Sequence, residues 1–168
     1  IIMTAMDFAA RKHVFQKRRD GQTPYINHPI EVARFLTNEA NIQDISVIAA
    51  ALLHDTLEDT ETSYDELKDL LGAAIADVVQ EVTDDRSLPK GERKRLQIEH
   101  AAHYSIAAQY VKFSDSVCNM RSMLRHPPDW DTERKAAYIN WVKKVVEAMP
   151  HIPGDLKDCF ASEYAKAV

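Results

Sequence analysis

The sequence predicts an all-α domain, and three observations lead to that prediction. Apolar residues recur with the 3.6-residue period of a helix along most of the chain. No convincing two-residue alternation marks a β-strand, and no internal repeat or low-complexity segment is evident. Only 4 glycines occur among 168 residues, which disfavours a turn-rich β-sandwich. This length fits one domain with its own core, and we expect a single domain over residues 1–168.

Three helices are expected in the first third of the chain. A stripe of apolar residues predicts a first helix over residues 7–18, which a glycine and a proline in the next segment terminate. His28 and the proline after it open a second helix, because proline fits a first helical turn. A third helix is expected from residue 45 to about residue 58, with Asp44 as its N-cap. Its first half is almost entirely apolar, which indicates a central, buried helix.

The remaining helices are predicted from capping and terminating residues. Ser63 and Glu66 form a capping-box pattern that begins a fourth helix, and Gly72 ends it. Paired or closely spaced prolines end the later helices, because proline forbids continuation. Further helices are expected over residues 73–82, 92–103, 106–124 and 133–149, with a short helix from residue 154.

Charge and composition exclude several classes of protein. The chain has 21 basic and 26 acidic residues, for a formal net charge of −5, whereas a general nucleic-acid binder is basic. The longest apolar stretch, residues 45–53, is too short to span a membrane, and no secretory signal is visible. Cys118 and Cys159 are interpreted as free thiols of a reducing compartment. We therefore expect a cytoplasmic protein without nucleic-acid or membrane partners; nothing in the sequence identifies a protein partner.

An imidazole and three carboxylates cluster near the end of the predicted third helix. His54 and Asp55 are followed four residues later by Glu58 and Asp59, so a continuing helix would place all four within one turn. Such a cluster is costly to bury, and metal coordination is the usual compensation. The alternative is a solvated helix end with incidental acidic residues.

Two other segments contribute candidate metal ligands. His28 lies at a helix start, and Asp115 begins a polar stripe with Asn119 and Ser122 on an otherwise apolar helix. Two imidazoles and two carboxylates suit Mn²⁺, Fe²⁺ or Zn²⁺ better than Ca²⁺ or Mg²⁺. Four protein ligands leave an open position only at five- or six-fold coordination, which favours Mn²⁺ or Fe²⁺ over tetrahedral Zn²⁺.

The order His…His-Asp…Asp resembles the ligand pattern of the HD superfamily of metal-dependent phosphohydrolases. Four segments narrow the resemblance to the hydrolase domain of the RelA/SpoT family and its small alarmone hydrolases, including the animal SpoT homologues: RRDGQTPYINHP, HDTLEDT, EVTDD…LPKGERKRLQ and VKFSDSVCNMR. The similarity covers residues from about 7 to 146. It implies an orthogonal all-helical fold of about eight to ten helices, one Mn²⁺ per chain, and hydrolysis of (p)ppGpp to GDP or GTP and pyrophosphate.

The resemblance also implies roles for individual residues. The positions that match the family's metal ligands are His28, His54, Asp55 and Asp115. Those that match its water-activating pair are Glu58 and Asp59. Those that match its substrate contacts are Arg18, Arg19, Asn119 and Arg121. Arg19 departs from the lysine of many members, and the loop that follows is one residue longer.

A polyanionic substrate requires positive charge beyond the metal, because residues 54–69 are strongly acidic. Two basic segments, residues 17–20 and 90–95, are the candidate sources. Lys90 is the residue expected to reach the 5′-phosphates. For most of residues 90–95 the alternative is a solvated helix start.

Aromatic residues are further candidates for substrate contact. Tyr25 is expected either to stack near the nucleotide or to anchor its loop. Arg134 and Tyr138, one helical turn apart, are candidates to close the site. Tyr138 and Trp141 fit core packing equally well.

Two alternatives to (p)ppGpp hydrolysis stay open. An HD-type phosphatase acting on another nucleotide, such as one that removes the 2′-phosphate of NADPH, would use the same site. A non-catalytic nucleotide-sensing module belongs to a different class. The complete ligand set and the intact Glu58-Asp59 pair argue against that module.

Overall fold

The computed structural model describes residues 1–167, which form ten helices and no β-strand. The all-α prediction is thus confirmed for the part of the chain described. No helix within that part is long and apolar enough to cross a membrane. In chain order the helices are α1 (Ile2–Lys12), α2 (Asn27–Asn38), α3 (Ile45–Leu53), α4 (Thr56–Asp59), α5 (Tyr64–Leu71), α6 (Ala73–Val82), α7 (Lys90–Ala101), α8 (Ile106–Arg125), α9 (Thr132–Glu147) and α10 (Gly154–Ala167).

Helix α3 is the centre of the fold. All of residues 47–53 are buried, and the helix lies against α1, α2, α6 and α8. The Asp44 carboxylate caps it by accepting hydrogen bonds from the amides of Ser46 and Val47, as the sequence predicts. Because a helix that is apolar on all sides is stable only inside a core, the C-terminal end of α3 lies in the protein interior.

The predicted third helix does not continue to residue 58. Helix α3 ends at Leu53, and α4 begins only at Thr56. Side chains compete with the helical backbone at this point: His54 Nδ1 donates to the Ala51 carbonyl at 2.8 Å, and the Thr56 hydroxyl donates to the Leu53 carbonyl at 2.7 Å. The prediction of one continuous helix is therefore wrong, and a break separates the two halves.

The first helix is also shorter at its C-terminal end than the apolar stripe predicts. Helix α1 ends at Lys12, and residues 16–25 form a closed loop with an isolated antiparallel bridge. The Asp20 carboxylate accepts hydrogen bonds from the Thr23 hydroxyl and from the amides of residues 22 and 23. These bonds lower the pKa of Asp20 to about 2, and the bond from the Thr23 hydroxyl has the largest effect. The rigid loop presents two arginines beside the cavity described below.

Helix α1 begins at Ile2, five residues before its predicted start, whereas the remaining helix termini lie close to their predicted positions. The Ser63 hydroxyl accepts a hydrogen bond from the Glu66 amide at the start of α5, as expected for a capping box. Gly72 separates α5 from α6 with a φ of +92°, a conformation that glycine adopts at low cost. Helix α7 begins at Lys90, two residues before the predicted start.

We expect Phe113→Ala to lower the free energy of unfolding by about 3–5 kcal/mol, because a fully buried aromatic side chain would leave a cavity. The Phe113 ring lies 6.2 Å from that of Phe35 and 6.5 Å from that of Phe160, so it joins α2, α8 and α10. Phe15→Ala is the matched control: Phe15 is 92% exposed, and its removal should change stability by less than about 0.5 kcal/mol. Urea denaturation measures both, and equal losses would contradict this packing.

Candidate active site

Three buried side chains from separate elements converge at the end of α3. His28 lies in the first turn of α2, His54 directly follows α3, and Asp115 lies in the middle of α8. One potential ligand atom from each lies within 4.8 Å of the other two. His28 Nε2 is 3.0 Å and His54 Nε2 is 3.7 Å from the same oxygen, Asp115 Oδ1. Three of the four predicted metal ligands thus form one compact group of donors.

The orientation of the His54 ring fits a bound cation. Its Nδ1 donates to the Ala51 carbonyl, which leaves Nε2 as the nitrogen available to a cation. Nε2 is buried and faces Asp55 Oδ2 at 3.0 Å. Burial lowers the pKa of His54, but Asp55 and Asp115 outweigh burial and raise it, so Nε2 binds a proton that a divalent cation would replace. The donor set therefore fits a divalent metal ion.

Asp55, the fourth predicted ligand, adjoins this group. Its Oδ2 is also 3.9 Å from His28 Nε2, and it accepts a 2.7 Å hydrogen bond from the Tyr25 hydroxyl. Burial alone would raise the pKa of Asp55, but His54 and His28 outweigh burial and lower that pKa. Burial and the negative charge of Asp55 raise the pKa of Tyr25, which keeps its hydroxyl a donor. Tyr25 therefore orients a carboxylate at the site.

Lys112 contacts the outer oxygen of Asp115, and sequence reasoning missed it. Its Nζ lies 3.5 Å from Asp115 Oδ2, while Asn119 Nδ2 donates to Oδ1. Burial lowers the pKa of Lys112, but Asp115 and other acidic groups outweigh burial and raise it, so the ammonium stays charged. The signal was available: Lys112 precedes Asp115 by three residues and so lies next to it on α8.

Glu58 and Asp59 occupy different environments. Glu58 lines the cavity described next, and its carboxylate accepts hydrogen bonds from Arg86 Nε and the Asp84 amide, both at 3.2 Å. Burial, reinforced by neighbouring carboxylates, raises the pKa of Glu58. Asp59 lines neither of the two cavities described next; it accepts hydrogen bonds from Gln16 Nε2 at 2.9 Å and from Arg86.

A basic cavity of about 330 Å³ adjoins the cluster. It combines positive charge with aromatic surface, which suits a phosphate-bearing ligand. The planar Arg19 and Arg134 guanidinium groups lie 4.7 and 4.5 Å from the Trp130 ring centroid. Its basic and aromatic lining residues are Arg19, Lys90, Arg93, Lys94, Lys112, Arg134, Tyr25, Trp130, Tyr138 and Trp141.

Lys90 and Tyr138 line this cavity, and their predicted contacts with substrate stay predictions. The Tyr138 ring also lies 5.7 Å from that of Trp141, so its position is compatible with both alternatives, closure of the site and core packing. Within residues 90–95, the solvated-helix alternative describes Arg95, which pairs at the surface with two glutamates of its own helix.

A second, larger cavity of about 840 Å³ also adjoins the cluster. Arg18 donates to Asn119 Oδ1 and Ser122 Oγ, both at 3.3 Å, and its guanidinium lies 5.5 Å from the centroid of the Tyr25 ring. Asn119 and Ser122 of the predicted polar stripe line this cavity, whereas Asp115 lines the smaller one. The residues that line both cavities are Arg19, Tyr25, His28, Asn119 and Tyr138. The candidate metal site therefore adjoins both cavities through His28.

Arg121 lines neither of the two cavities, and its predicted role in substrate binding stays a prediction. Its guanidinium donates two 2.8 Å hydrogen bonds to Glu39 and one of 3.3 Å to Glu163. The reason is its position around α8: Asp115 and Asn119 share one face, and Arg121, two residues further, points elsewhere. Arg121 instead links α8 to α10 and to the end of α2.

Comparisons with known proteins agree with this geometry. A family model described as HD domain matches residues 5–142. The guanosine-3′,5′-bis(diphosphate) 3′-pyrophosphohydrolase MESH1 of Homo sapiens is 52% identical over 150 residues, covering 88% of this chain and 84% of that protein. The protein of the same name from Danio rerio is 48% identical over 151 residues, covering 89% and 84%.

Two solved structures resemble the whole fold. One is a metazoan ortholog of SpoT, described as hydrolyzing ppGpp and playing a role in starvation responses. It has a TM-score of 0.92 and 42% identity over 98% of this chain and 94% of that chain. The other, from Listeria monocytogenes EGD-e, has a TM-score of 0.71 and 26% identity over 86% and 93%. These likenesses confirm the helical fold that the resemblance implied.

We expect His54→Ala to lose bound metal, because it removes the imidazole nitrogen that faces the carboxylates. Excess Mn²⁺ should raise the Tm of the native protein, with about 2.7 kcal/mol of stabilisation at 100 times Kd, and should leave that of the variant unchanged. His103→Ala, at an exposed histidine, is the control and should behave like the native protein. Elemental analysis and thermal melts measure both effects; a His54→Ala protein with full metal content would contradict the ligand set.

Proposed function

This chain belongs to the HD domain family, in the group of the guanosine-3′,5′-bis(diphosphate) 3′-pyrophosphohydrolases, and we therefore propose that it hydrolyses (p)ppGpp. In the proposed reaction water attacks the phosphorus bonded to O3′, and the bond from that phosphorus to O3′ breaks. Pyrophosphate leaves whole, and O3′ takes up a proton to give GDP or GTP. The observation that carries the proposal is the buried His/Asp cluster that adjoins a basic cavity and a larger one.

The proposed metal ligands are His28, His54, Asp55 and Asp115, and the proposed cofactor is one Mn²⁺ per chain. Mixed nitrogen and oxygen donors with positions left open suit Mn²⁺ better than Zn²⁺, and Fe²⁺ is the nearer alternative. When bound, such an ion polarises a phosphoryl oxygen and lowers the pKa of water. Tyr25 and Lys112 hold the carboxylates of Asp55 and Asp115 in place.

Glu58 is the proposed general base toward water. It lines the cavity beside the cluster, and burial raises its pKa toward the neutral range in which a base is most effective. Asp59 has a different proposed role, because it is turned toward Gln16 and Arg86 rather than into a cavity. It fixes the position of its neighbour and does not itself accept the proton.

The basic cavity is the proposed site for the phosphate groups, and the larger cavity is the proposed site for the nucleoside. Lys90 and Arg134 approach from α7 and α9, and Arg19 approaches from the loop after α1. These cations offset the acidic residues around the cluster, which alone would repel a polyanion. In the larger cavity, Arg18 and Asn119 offer a planar cation and an amide for a nucleobase.

We also propose that the chain is one HD-type domain and acts in the cytoplasm. Its buried hydrophobic side chains form a single cluster to which every helix except α4 contributes a buried residue. Both cysteines are free, the form that a reducing compartment maintains. The proposed partner is a small-molecule nucleotide, not a nucleic acid or a membrane.

We expect the metal-stripped protein to convert ppGpp to GDP and pyrophosphate only after Mn²⁺ is added, because the acidic cluster needs the cation. Phosphorus NMR of parallel samples with ppGpp and with NADPH identifies the products. Release of orthophosphate from NADPH, with no turnover of ppGpp, would favour the alternative in which the chain removes the 2′-phosphate of NADPH. Turnover of neither nucleotide, by protein that binds metal, would favour the sensing module.

We expect Glu58→Gln to lower kcat by about 100-fold or more while metal content is retained, because the base is lost without a change in shape. Asp59→Asn should lower kcat less, because it weakens a positioning contact and leaves the base in place. Glu58→Ala combined with Asp59→Ala should retain metal and abolish turnover. Steady-state kinetics on metal-loaded protein measure all three, and a Glu58→Gln enzyme with native kcat would overturn the assignment.

A further inference from the structure

One arginine contacts both members of the Glu58–Asp59 pair. Arg86 Nε donates to Glu58 Oε1 at 3.2 Å, and Arg86 Nη2 contacts Asp59 Oδ1. The other two carboxylate oxygens are also engaged: Glu58 Oε2 accepts from the Asp84 amide at 3.2 Å, and Asp59 Oδ2 accepts from Gln16 Nε2 at 2.9 Å. The pair is therefore held at all four oxygens, and Arg86 provides the link between its two members.

Arg86 lies outside the substrate cavities. It belongs to the loop between α6 and α7, its side chain is 56% exposed, and neither cavity described above includes it. Arg93, by contrast, lines the basic cavity, and its Nη1 approaches Glu58 Oε1 at 3.6 Å. Arg86 thus contacts the acidic pair without lining either cavity.

The charge around Glu58 explains what this contact does. Adjacent carboxylates repel each other, and a guanidinium whose nitrogens contact both fixes their separation and orientation. Burial, then Asp84 and Asp55, raise the pKa of Glu58, whereas Arg86 lowers it. Without Arg86, the Glu58 carboxylate would keep only the hydrogen bond from the Asp84 amide, and it would be protonated over a wider range of pH.

We propose that Arg86 is a positioning residue for the hydrolysis, holding Glu58 and Asp59 in one arrangement at the cavity wall without touching substrate. This inference rests on the proposed function, in which Glu58 accepts a proton from water. The proposed role distinguishes the Arg86 contact from an incidental surface ion pair, which contributes little to stability and nothing to catalysis.

The test compares Arg86→Gln and Arg86→Lys with a matched control, Arg11→Gln. Arg11 is also an exposed arginine paired with a carboxylate, Asp7, at 2.9 Å, but on the outside of α1. For each Mn²⁺-loaded protein, kcat and KM for ppGpp are measured across the acid limb of the pH profile, together with metal content and Tm. The control should match the native enzyme in all of these quantities.

We expect Arg86→Gln to lower kcat by about tenfold or more with KM and metal content unchanged, since the arginine acts through the base and not on the substrate. Its acid limb should move to higher pH, because removing the cation raises the pKa of Glu58 and the base must be ionised to act. Arg86→Lys keeps the positive charge and should restore most of kcat and the native pH profile.

If the native enzyme is active, three results would overturn the proposal. The first is a native kcat and pH profile in Arg86→Gln, and the second is a raised KM with native kcat in that variant. The third is a loss of kcat accompanied by a lower Tm that is the same in Arg86→Gln and Arg86→Lys. If the native protein does not turn over ppGpp, the proposed function fails instead. An NMR titration of the ¹³C-labelled Glu58 carboxyl then tests whether Arg86 acts on Glu58. A higher pKa of Glu58 in Arg86→Gln than in the native protein supports that action, and an equal pKa refutes it.

Discussion

Buried carboxylates need a positive partner, and the arrangement of the whole site follows from that need. Helix α3 is apolar on every side and ends in the interior, so Asp55 and, from α8, Asp115 meet two imidazoles where water has little access. One histidine is oriented by a backbone carbonyl so that its other ring nitrogen faces these acids and is available to a cation. The fold therefore supplies a preformed position for a cation.

Positive charge is distributed so that the site can accept an anion without losing that cation. The ligand cluster is acidic, whereas the walls of the adjoining cavity carry basic groups from α7, α8, α9 and the loop after α1. Several of these groups stack on Trp130 and Tyr138, which restricts long side chains that would otherwise be flexible. Opposite charges are thus held apart by the scaffold, and a bound phosphate group would lie between them.

Local sequence signals predicted the parts of the structure that local interactions decide. The caps at Asp44 and Ser63 form as expected, and three of the four predicted metal ligands come together from separate elements. The prediction of one continuous helix through His54 was wrong, because side-chain hydrogen bonds to the backbone interrupt the helix there. Arg121 points away from Asp115 and Asn119 around α8, so its predicted substrate contact stays a prediction. Lys112 was missed although its spacing from Asp115 indicates the contact. Arg86 was missed because the end point of its long side chain depends on tertiary neighbours that no spacing rule contains.

The break between α3 and α4 also affects how many separate elements the site requires. Successive residues of a continuous helix project about 100° apart, so two neighbours cannot normally serve the same ion. Here the chain leaves the helix for two residues, and a histidine and an aspartate that are adjacent in sequence turn toward one point. In the proposed ligand set this dipeptide would act as a single chelating unit, and only two more residues, from distant helices, would be needed to complete the set.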